Sequence, residues 1–502
     1  MLNHRRVIVI GAVLLTAGLA YAMQGTSVAP ISDARTPSPE ASAPSPAPAV
    51  ALSPSPPLPT PSPSPRIMAP PITPSPSPMP PRVRSQAYHL DAKLDFKRRT
   101  LDVVEILEWT NTTAEQATEI NLSVLPAHGG FFTLAGVISQ DGVPAHAAIV
   151  EHDTNLRVTF ARPVAPQQTT SIVIPFRLEV PRVSDPPPGW DSSNAYLTAA
   201  RGVIQFGHWF PIWSTVHGFH PVGDPQVTFN ADEITLDLET TTELGVDAVA
   251  ATGVLQPGAT TSQWRFEAHD VRDLAFIVSP KYSVTAQHVE CDGRDTRLLV
   301  YALDADAEIA LRHGEEALRA FNEWFGCYPY SVLSIAQAPG RKFSLEFPMM
   351  SLMSGDAMAN PALVRHEVAH QWWYGIVGND QMLEPWLDEA FAQYSARLLD
   401  DVPIEYCNSR GGVISSVFEF EQWMDCSYYS SVYLKGAAFL DDVHRRMGTD
   451  AFFDALRDIV ATYRHGVATT SGVLGILEKH SARGLRGLFT AYGFAQDPPL
   501  PP

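Results

Sequence analysis

Two histidines four residues apart, His366 and His370, enclose a glutamate in the stretch HEVAHQWW. On an α-helix, residues four apart share one face, so both imidazoles can reach the same ion. Glu367 lies beside the first histidine, where a carboxylate can take a proton from water. Glu389 is the candidate third ligand, because a catalytic zinc needs three protein ligands and an open position. The pattern predicts one Zn²⁺ per chain and hydrolytic chemistry.

Two helices are expected to carry these side chains. Asn360 can cap the first helix, and Pro361 suits its first turn. The second is predicted over residues 386–399, where the apolar residues repeat at helical spacing: Leu387, Phe391, Tyr394 and Leu398. A surface helix with two solvated histidines is the alternative, and the second glutamate at a helix start disfavours it.

The hydrophobic pattern along the chain predicts the surrounding architecture. Residues 86–285 contain segments that alternate apolar and polar residues, such as LRVTF, FRLEV and EITLDLE, which is typical of half-buried antiparallel strands. Within residues 286–492, AEIALRHGEEALRAFNEWFG is a predicted helix that ends at Gly326, and the strand-like SVLSIAQAP and FSLEFPMMSLM and then helices follow it. We therefore expect an α+β multidomain chain. An N-terminal antiparallel β saddle or sandwich domain precedes a mixed domain that becomes mainly helical.

The N-terminal segment predicts export. Residues 7–23 are uncharged and mostly apolar, follow a basic flank, and contain Ala20-Tyr21-Ala22, which has the form of a signal-peptidase site. We interpret residues 1–23 as a signal peptide, with an uncleaved membrane anchor as the alternative. The protein is then secreted, periplasmic or at the cell surface, and an uncleaved segment would tether it to a membrane.

Proline-rich segments flank the two predicted domains. Residues 24–85 are rich in Pro, Ser and Ala, and residues 30–81 alone hold 20 of the 44 prolines. Such a sequence cannot build a core, so we predict a disordered linker, either an extended spacer or a tail without a mechanical role. Residues 493–502 form a short Pro-rich tail.

Charge and cysteine content narrow the function classes. The formal net charge is −19 at pH 7, which argues against nucleic acid as a partner, because duplex binding needs a basic surface. None of the cysteines forms a Cys-x-x-Cys pair, so disulfides in an oxidising compartment are expected rather than a cysteine zinc site. Proximity in sequence favours the pair Cys407–Cys426, although the pairing of the four cysteines stays open: Cys291, Cys327, Cys407 and Cys426.

Several motifs together resemble the aminopeptidase N family of gluzincin zinc peptidases. HEVAHQWW followed by PWLDEAFAQYS is similar to the family's HExxH motif, eighteen residues and a glutamate. FGCYPYSVL resembles the Gly-x-Tyr-Pro segment before the first catalytic strand, and VRDLAFIVSPKY resembles the end of the N-terminal β-domain. The resemblance covers residues 86–492 and implies a thermolysin-like catalytic domain after a saddle-like β-domain.

The resemblance also implies roles for individual residues. His366, His370 and Glu389 would bind zinc, and Glu367 would be the general base. Tyr433, in SSVYLKGAAFL, would donate a hydrogen bond to the oxyanion. Glu346, in FSLEFP, would lie on an edge strand that binds the substrate backbone and would hold the substrate's free α-ammonium group.

The sequence also departs from the family pattern. Ser344 and Leu345 replace a glycine and a methionine of the edge-strand motif, and WLDEA has Asp and Ala where Asn and Gly are common. In GVIQFGHWFP, Gln205 matches a substrate-binding position, but Gly207 stands near the place of a second acidic anchor for the amine. The long C-terminal helical domain of many relatives has no counterpart, so a more open site is expected.

These observations predict an exported zinc metallopeptidase that acts on peptides or proteins, and they favour an aminopeptidase that releases N-terminal residues. One alternative is a zinc endopeptidase on the same scaffold, which the open site and Gly207 support. The other is a non-catalytic relative that binds peptides, which the complete set of ligands, base and tyrosine disfavours.

Overall fold

The computed structural model describes residues 85–150, 154–182, 196–214, 229–340, 344–381, 383–400 and 426–494. The predicted signal peptide or anchor, the linker apart from its last residue, most of the C-terminal tail and Cys407 lie outside this part of the chain. Within it, none of the helices has the length and hydropathy needed to cross a membrane.

The strands are numbered along the chain. Their bounds are β1 Gln86–Asp95, β2 Thr100–Thr110, β3 Ala117–Ser123, β4 Phe132–Leu134, β5 Ser139–Gln140, β6 Val143–Pro144, β7 His146–Val150, β8 Asn155–Val164, β9 Thr169–Glu179, β10 Leu197–Ala200, β11 Val203–Phe206, β12 Ile212–Trp213, β13 Ala231–Thr240, β14 Val249–Ala251, β15 Val254–Leu255, β16 Gln263–Val271, β17 Phe276–Val278, β18 Ser283–Cys291, β19 Arg294–Ala302, β20 Val332–Gln337, β21 Ser344–Phe347, β22 Met350–Met353, β23 Val377–Gly378 and β24 Gly466–Val467.

The helices lie mainly in the second half. Their bounds are α1 Leu125–His128, α2 Ala307–Phe325, α3 Gly355–Met358, α4 Pro361–Ala369, α5 Trp386–Asp400, α6 Cys426–Tyr429, α7 Gly436–Met447, α8 Thr449–Thr462, α9 Thr470–His480 and α10 Arg486–Ala491. A 3-10 helix spans Val246–Ala248, and a π-helical segment, Ser430–Lys435, joins α6 to α7.

The N-terminal region is mainly β, as the alternating pattern predicts. Its largest sheet has the order β15-β16-β13-β1-β2-β9-β5-β6, with β4 also on β9. Burial alternates along β1 and β9, so one face of each strand packs into a shared hydrophobic core. The expectation of antiparallel pairing is wrong for β1 and β13, which pair in parallel. These two strands come from distant segments, and a parallel pair requires such a long connection.

The second half combines one mixed sheet with helices. The sheet has the order β18-β19-β20-β22-β21, in which β20 is parallel to both neighbours and β21 is the edge strand. Helix α2 ends at Gly326, whose φ of 101° disfavours other residues. A separate hydrophobic core unites this sheet and the helices. The coarse prediction of a mainly β region followed by an α+β, increasingly helical region is confirmed.

One disulfide lies within the described residues. Cys291, at the end of β18, is bonded to Cys327, just after α2. The two cysteines are 36 residues apart in the chain, so the bond fastens the last turn of the helix to the first strand of the mixed sheet. The predicted pair Cys407–Cys426 stays a prediction, because Cys407 lies outside the described residues.

Candidate active site

Helix α4 presents two histidines to one buried place. The Asn360 side chain accepts hydrogen bonds from the backbone N–H groups of Ala362 and Leu363, at 3.0 and 3.4 Å, and so caps the helix. His366 lies in its last turn, and His370 forms its C-terminal cap. Both rings are buried, and their centroids are 4.6 Å apart. The predicted helix start and the shared face of the two histidines are thus present.

Glu389 completes a cluster that can hold a metal ion. It lies in the first turn of α5, the helix that packs against α4. Its Oε2 atom is 3.2 Å from His366 Nε2 and 3.3 Å from His370 Nε2. The two Nε2 atoms are themselves 3.0 Å apart. Three donor atoms from two successive helices therefore meet at one point.

The geometry of this cluster fits zinc. Ligand atoms about 2.0–2.1 Å from a tetrahedral zinc lie roughly 3.3 Å from one another, which is close to the separations found here. The His370 Nδ1–H group donates to the Trp373 carbonyl oxygen at 3.0 Å, so Nε2 of this ring is the atom left to bind a metal. Two nitrogens and one carboxylate oxygen form a donor set that suits zinc.

Glu367 lies in the same buried space as the cluster. Burial raises the pKa of its carboxyl to about 8, and the positive charge of His370 opposes this increase. The carboxylates of Glu346 and Glu389 raise the pKa further, and a hydrogen bond from Ser344 lowers it. A carboxyl group with a pKa near neutrality can both accept and return a proton.

Tyr433 reaches the cluster from the π-helical segment. Its hydroxyl donates to Glu389 Oε1 at 2.5 Å, and its ring stacks on that of His366 with centroids 6.0 Å apart. Burial raises the pKa of Tyr433 well above its ordinary value, with a further contribution from Glu389, so the phenol keeps its proton. π-Helical turns often occur at functional sites, and this one aims a neutral donor at the cluster.

Glu346 lies on the edge strand β21, as predicted. Its carboxylate is buried, and burial raises its pKa, while His370 lowers it. Donor atoms of Glu346, His370 and Asp388 lie within 4.8 Å of one another. Gln381 donates to the carboxylates of both Asp388 and Glu346, so its amide bridges the two acids. The site is thus rich in carboxylates, which favours the binding of cations.

Gln205 and Gly207 lie on the neighbouring β-region. Gln205 is fully buried in β11, and Gly207 is the first residue after that strand. A Cβ atom at position 207 would lie 2.5 Å from Phe347 Cζ, closer than any real contact. Phe347 follows Glu346 directly in β21. The position nearest the family's second acidic anchor is therefore next to the Glu346 strand, and the buried Phe347 ring fills it.

The structure also reveals supporting residues that the sequence reasoning missed. Gln371 accepts from Met349 N at 2.9 Å and donates to Phe347 O at 3.0 Å, which fastens the β21–β22 hairpin to the histidine helix. Burial lowers the pKa of the His366 ring, and Gln393 on α5 opposes this shift. Its spacing of four residues from Glu389 was the available signal, because such residues share a helical face.

Known proteins with a similar fold are zinc metallopeptidases. No protein-family model matches the chain. The M1 zinc metallopeptidase of Deinococcus radiodurans superposes with a TM-score of 0.61 and 19% identity, over 84% of this chain and 95% of that one. A variant of that enzyme bound to a Tyr-Ser-Ala substrate gives the same TM-score and identity, over 84% and 96%. The chain therefore has the fold of the M1 zinc metallopeptidases, the aminopeptidase N family that its motifs resemble.

Similarity to curated sequences is confined to part of the chain. Aminopeptidase M1-D of Oryza sativa subsp. japonica is 24% identical over 226 residues, which is 38% of this chain and 26% of that protein. The chain thus spans about a quarter of the length of the curated relatives that it matches. The predicted resemblance to this family is confirmed in both sequence and fold.

Proposed function

We propose that this protein is an exported zinc metallopeptidase that releases N-terminal residues from peptides. The observation that carries the proposal is the buried cluster of His366, His370 and Glu389, whose donor atoms lie 3.0–3.3 Å apart. Two further groups suited to peptide hydrolysis surround the cluster, a carboxyl at Glu367 and a phenol at Tyr433.

Glu367 would move the proton of the reaction. Zinc, when bound by the three ligands, supplies Lewis-acid chemistry that polarises a carbonyl group and lowers the pKa of water. Glu367 takes the proton of the attacking water and returns it to the departing amine. Its pKa of about 8, raised mainly by burial, lies near neutrality and is compatible with both steps.

Tyr433 would stabilise the developing charge. Its hydroxyl is neutral and buried, and it is held at the edge of the cluster by its hydrogen bond to Glu389. Its single O–H donor would turn from Glu389 to the carbonyl oxygen of the transition state, whose negative charge it stabilises in a water-poor site. Tyr433 therefore acts as the oxyanion donor rather than as a ligand.

The edge strand β21 would align the substrate. An extended peptide can pair with this edge strand, so that Glu346 meets the free α-ammonium group. The surrounding acids, Asp388 and Glu389, add negative potential that favours a cation. The Deinococcus radiodurans relative binds a Tyr-Ser-Ala substrate, a peptide of the size such a site accepts. Gln205 completes the proposed substrate-binding residues.

A zinc endopeptidase is the second candidate function. Phe347 fills the space beside Gly207, so a second acidic side chain cannot lie there. With fewer anchors for the amine, the site would discriminate less against substrates whose N-terminus is blocked. A peptide-binding relative without activity is less favoured, because the ligands, Glu367 and Tyr433 are all close together.

Export and the finer fold also belong to this proposal. The Cys291–Cys327 disulfide supports an oxidising compartment, which is what the N-terminal residues 1–23 predict. We place residues 86–285 in a saddle-like β-domain and residues 286–492 in a thermolysin-like domain. One hydrophobic core lies in the second region and another lies almost entirely in the first, which supports that division.

A substrate panel tests the function. Zinc content is measured on the purified protein, and hydrolysis is followed on fluorogenic aminoacyl peptides with free and with acetylated N-termini. The variants are Glu367→Gln and Glu346→Gln, and Glu108→Gln, an exposed glutamate of β2, is the matched control. We expect Glu367→Gln to retain zinc and lose about 10²–10⁴-fold in kcat.

The same panel separates the candidate functions. Glu346→Gln should have a lower kcat/KM than the Glu108→Gln control on peptides with a free amine. On acetylated peptides the two variants should have the same kcat/KM. Equal cleavage of acetylated and free peptides by the wild type would favour the endopeptidase. Zinc bound with no hydrolysis of any peptide would favour the non-catalytic relative, and full activity of Glu367→Gln would refute the mechanism.

A further inference from the structure

Arg272 is a fully buried cation that the proposed mechanism does not use. It follows the last residue of β16, in the N-terminal β-region, and only 1% of its side chain surface is exposed. Burying a guanidinium is costly unless its environment provides compensating partners. Its hydrogen bond to Gly466 and its contact with the Tyr374 ring both reach into the other half of the chain, which makes the residue a bridge between the two regions.

The guanidinium lies against the paired strands β23 and β24. Its Nη2 atom donates to the Gly466 carbonyl oxygen at 3.0 Å. On the partner strand, a Cβ atom at Gly378 would lie 2.2 Å from Arg272 Nη1, so the guanidinium rests directly on this glycine's Cα. Position 378 must therefore be glycine, because the side chain of any larger residue would displace the Arg272 guanidinium.

The same guanidinium packs on a strained turn. Arg272 Cζ lies 5.6 Å from the centre of the Tyr374 ring, a separation that allows cation–π attraction. Tyr374 has a φ of 129°, a conformation that is unfavourable for a non-glycine residue and persists only under support from its surroundings. The Arg272 guanidinium, which lies against both Gly378 and the Tyr374 ring, provides such support.

This turn carries the carbonyl group that orients a metal ligand. Trp373 precedes Tyr374, and its carbonyl oxygen accepts the His370 Nδ1–H hydrogen bond at 3.0 Å. The turn is tied to the histidine helix by Gly375 N, which donates to His370 O at 2.9 Å. A shift of the turn would therefore rotate the imidazole and move its Nε2 atom.

We propose that Arg272 is a positioning residue for the metal site, through which the N-terminal β-region holds His370 in its ligating orientation. The inference rests on the proposed zinc function. Hydrogen-bond partners of metal-bound histidines typically change metal affinity by 10–100-fold when they are altered. Arg272 acts one layer further out, by fixing the backbone to which that partner belongs.

Zinc affinity tests this inference directly. The dissociation constant for zinc is measured on the full chain by competition with a chromogenic chelator, together with the melting temperature. We expect Arg272→Met and Gly378→Ala each to raise the dissociation constant about 10-fold or more. Arg272→Lys keeps the charge but not the planar fork, so it should show a smaller increase.

Tyr330→Phe is the matched control for a general loss of contact between the regions. Its hydroxyl donates to the Asp270 carbonyl oxygen at 2.6 Å, two residues before Arg272. This variant should lower the melting temperature and leave zinc affinity unchanged. An equal loss of zinc affinity in Tyr330→Phe would overturn the inference, because the effect would then be one of stability.

The remaining outcomes are equally decisive. Wild-type zinc affinity in both Arg272→Met and Gly378→Ala overturns the positioning role while the proposed function stands. If Arg272→Met does not fold, Arg272→Lys and Gly378→Ala decide by the same measurement. Failure of the wild type to bind zinc refutes the proposed function itself, and the inference with it.

Discussion

The Phe347 ring occupies the space that any side chain at Gly207 would need, since a Cβ atom there would lie 2.5 Å from Phe347 Cζ. The contact joins the β-region to the strand that carries Glu346. A charged side chain at position 207 is therefore excluded by the packed Phe347 ring. The contact therefore ties the backbone of the Glu346 strand to the β-region.

Gly207→Ala should destabilise the protein by about 1–3 kcal/mol, because the added methyl group overpacks a buried contact. In a Phe347→Ala background the same change should cost less, since the ring that opposes it is gone. Urea denaturation of the wild type, both single variants and the double variant measures this coupling. Additive free energies of unfolding would contradict the contact.

Tyr433→Phe should lower kcat about 10²–10³-fold, because it removes one donor to the developing oxyanion. Zinc content should not change, since Tyr433 is not a ligand. Tyr429→Phe is the matched control, because its ring lies 5.0 Å from that of Tyr433 and is also buried. The prediction is checked by steady-state kinetics with metal analysis, and a change in KM alone would count against the assigned role.

Removal of zinc by a chelator should lower the melting temperature by several degrees. A ligand present at 100 times its dissociation constant stabilises the folded state by about 2.7 kcal/mol. Glu389→Gln should weaken this dependence on metal, whereas Glu108→Gln should keep it. Thermal unfolding with and without added zinc provides the measurement, and equal melting temperatures in the wild type would show that no metal is held.

The stability of the helical region should fall in acid because of His444. Burial lowers the pKa of this ring to about 4, and the positive charge of Arg445 lowers it further. The ring also bonds the Tyr394 hydroxyl at 2.8 Å and stacks on Phe452. Since the folded-state pKa lies below the ordinary value of about 6.5, the contribution is present above pH 6.5 and is lost as the pH falls towards 4.

His444→Gln tests this pH dependence. The wild type should exceed the variant in melting temperature at neutral pH, and the difference should shrink between pH 6.5 and 4. The effect is on the order of 1–2 kcal/mol, because solvent screens part of the ring. His146→Gln, on an exposed histidine, is the control and should show a smaller change. A difference that is constant with pH would argue against the buried neutral ring.

Local patterns predicted the elements that carry the chemistry. The Asn360 cap, the apolar spacing after Trp386 and the positive φ at Gly326 each have a local physical cause, and the helices begin and end there. The edge position of β21 came from the family resemblance. These features needed no knowledge of distant contacts.

Other features depend on packing between distant segments and could not be predicted. The parallel pair of β1 and β13 joins segments far apart in the chain. In the sequence, Arg272 has no feature that distinguishes it from a surface arginine at the end of a strand. Only the fold shows that its side chain contacts Gly378. Likewise, the conflict between Phe347 and any side chain at position 207 arises from two strands of different regions.

The Cys291–Cys327 bond has a practical consequence for how the protein is made. It closes a loop of 36 residues, and loop-closure entropy assigns such a bond about 4 kcal/mol of stabilisation. In a reducing bacterial cytoplasm both cysteines would remain reduced thiols, whereas secretion through an oxidising compartment would allow the disulfide to form. Recombinant chain produced in the two ways should therefore differ in yield and in resistance to protease, even though its amino-acid sequence is the same.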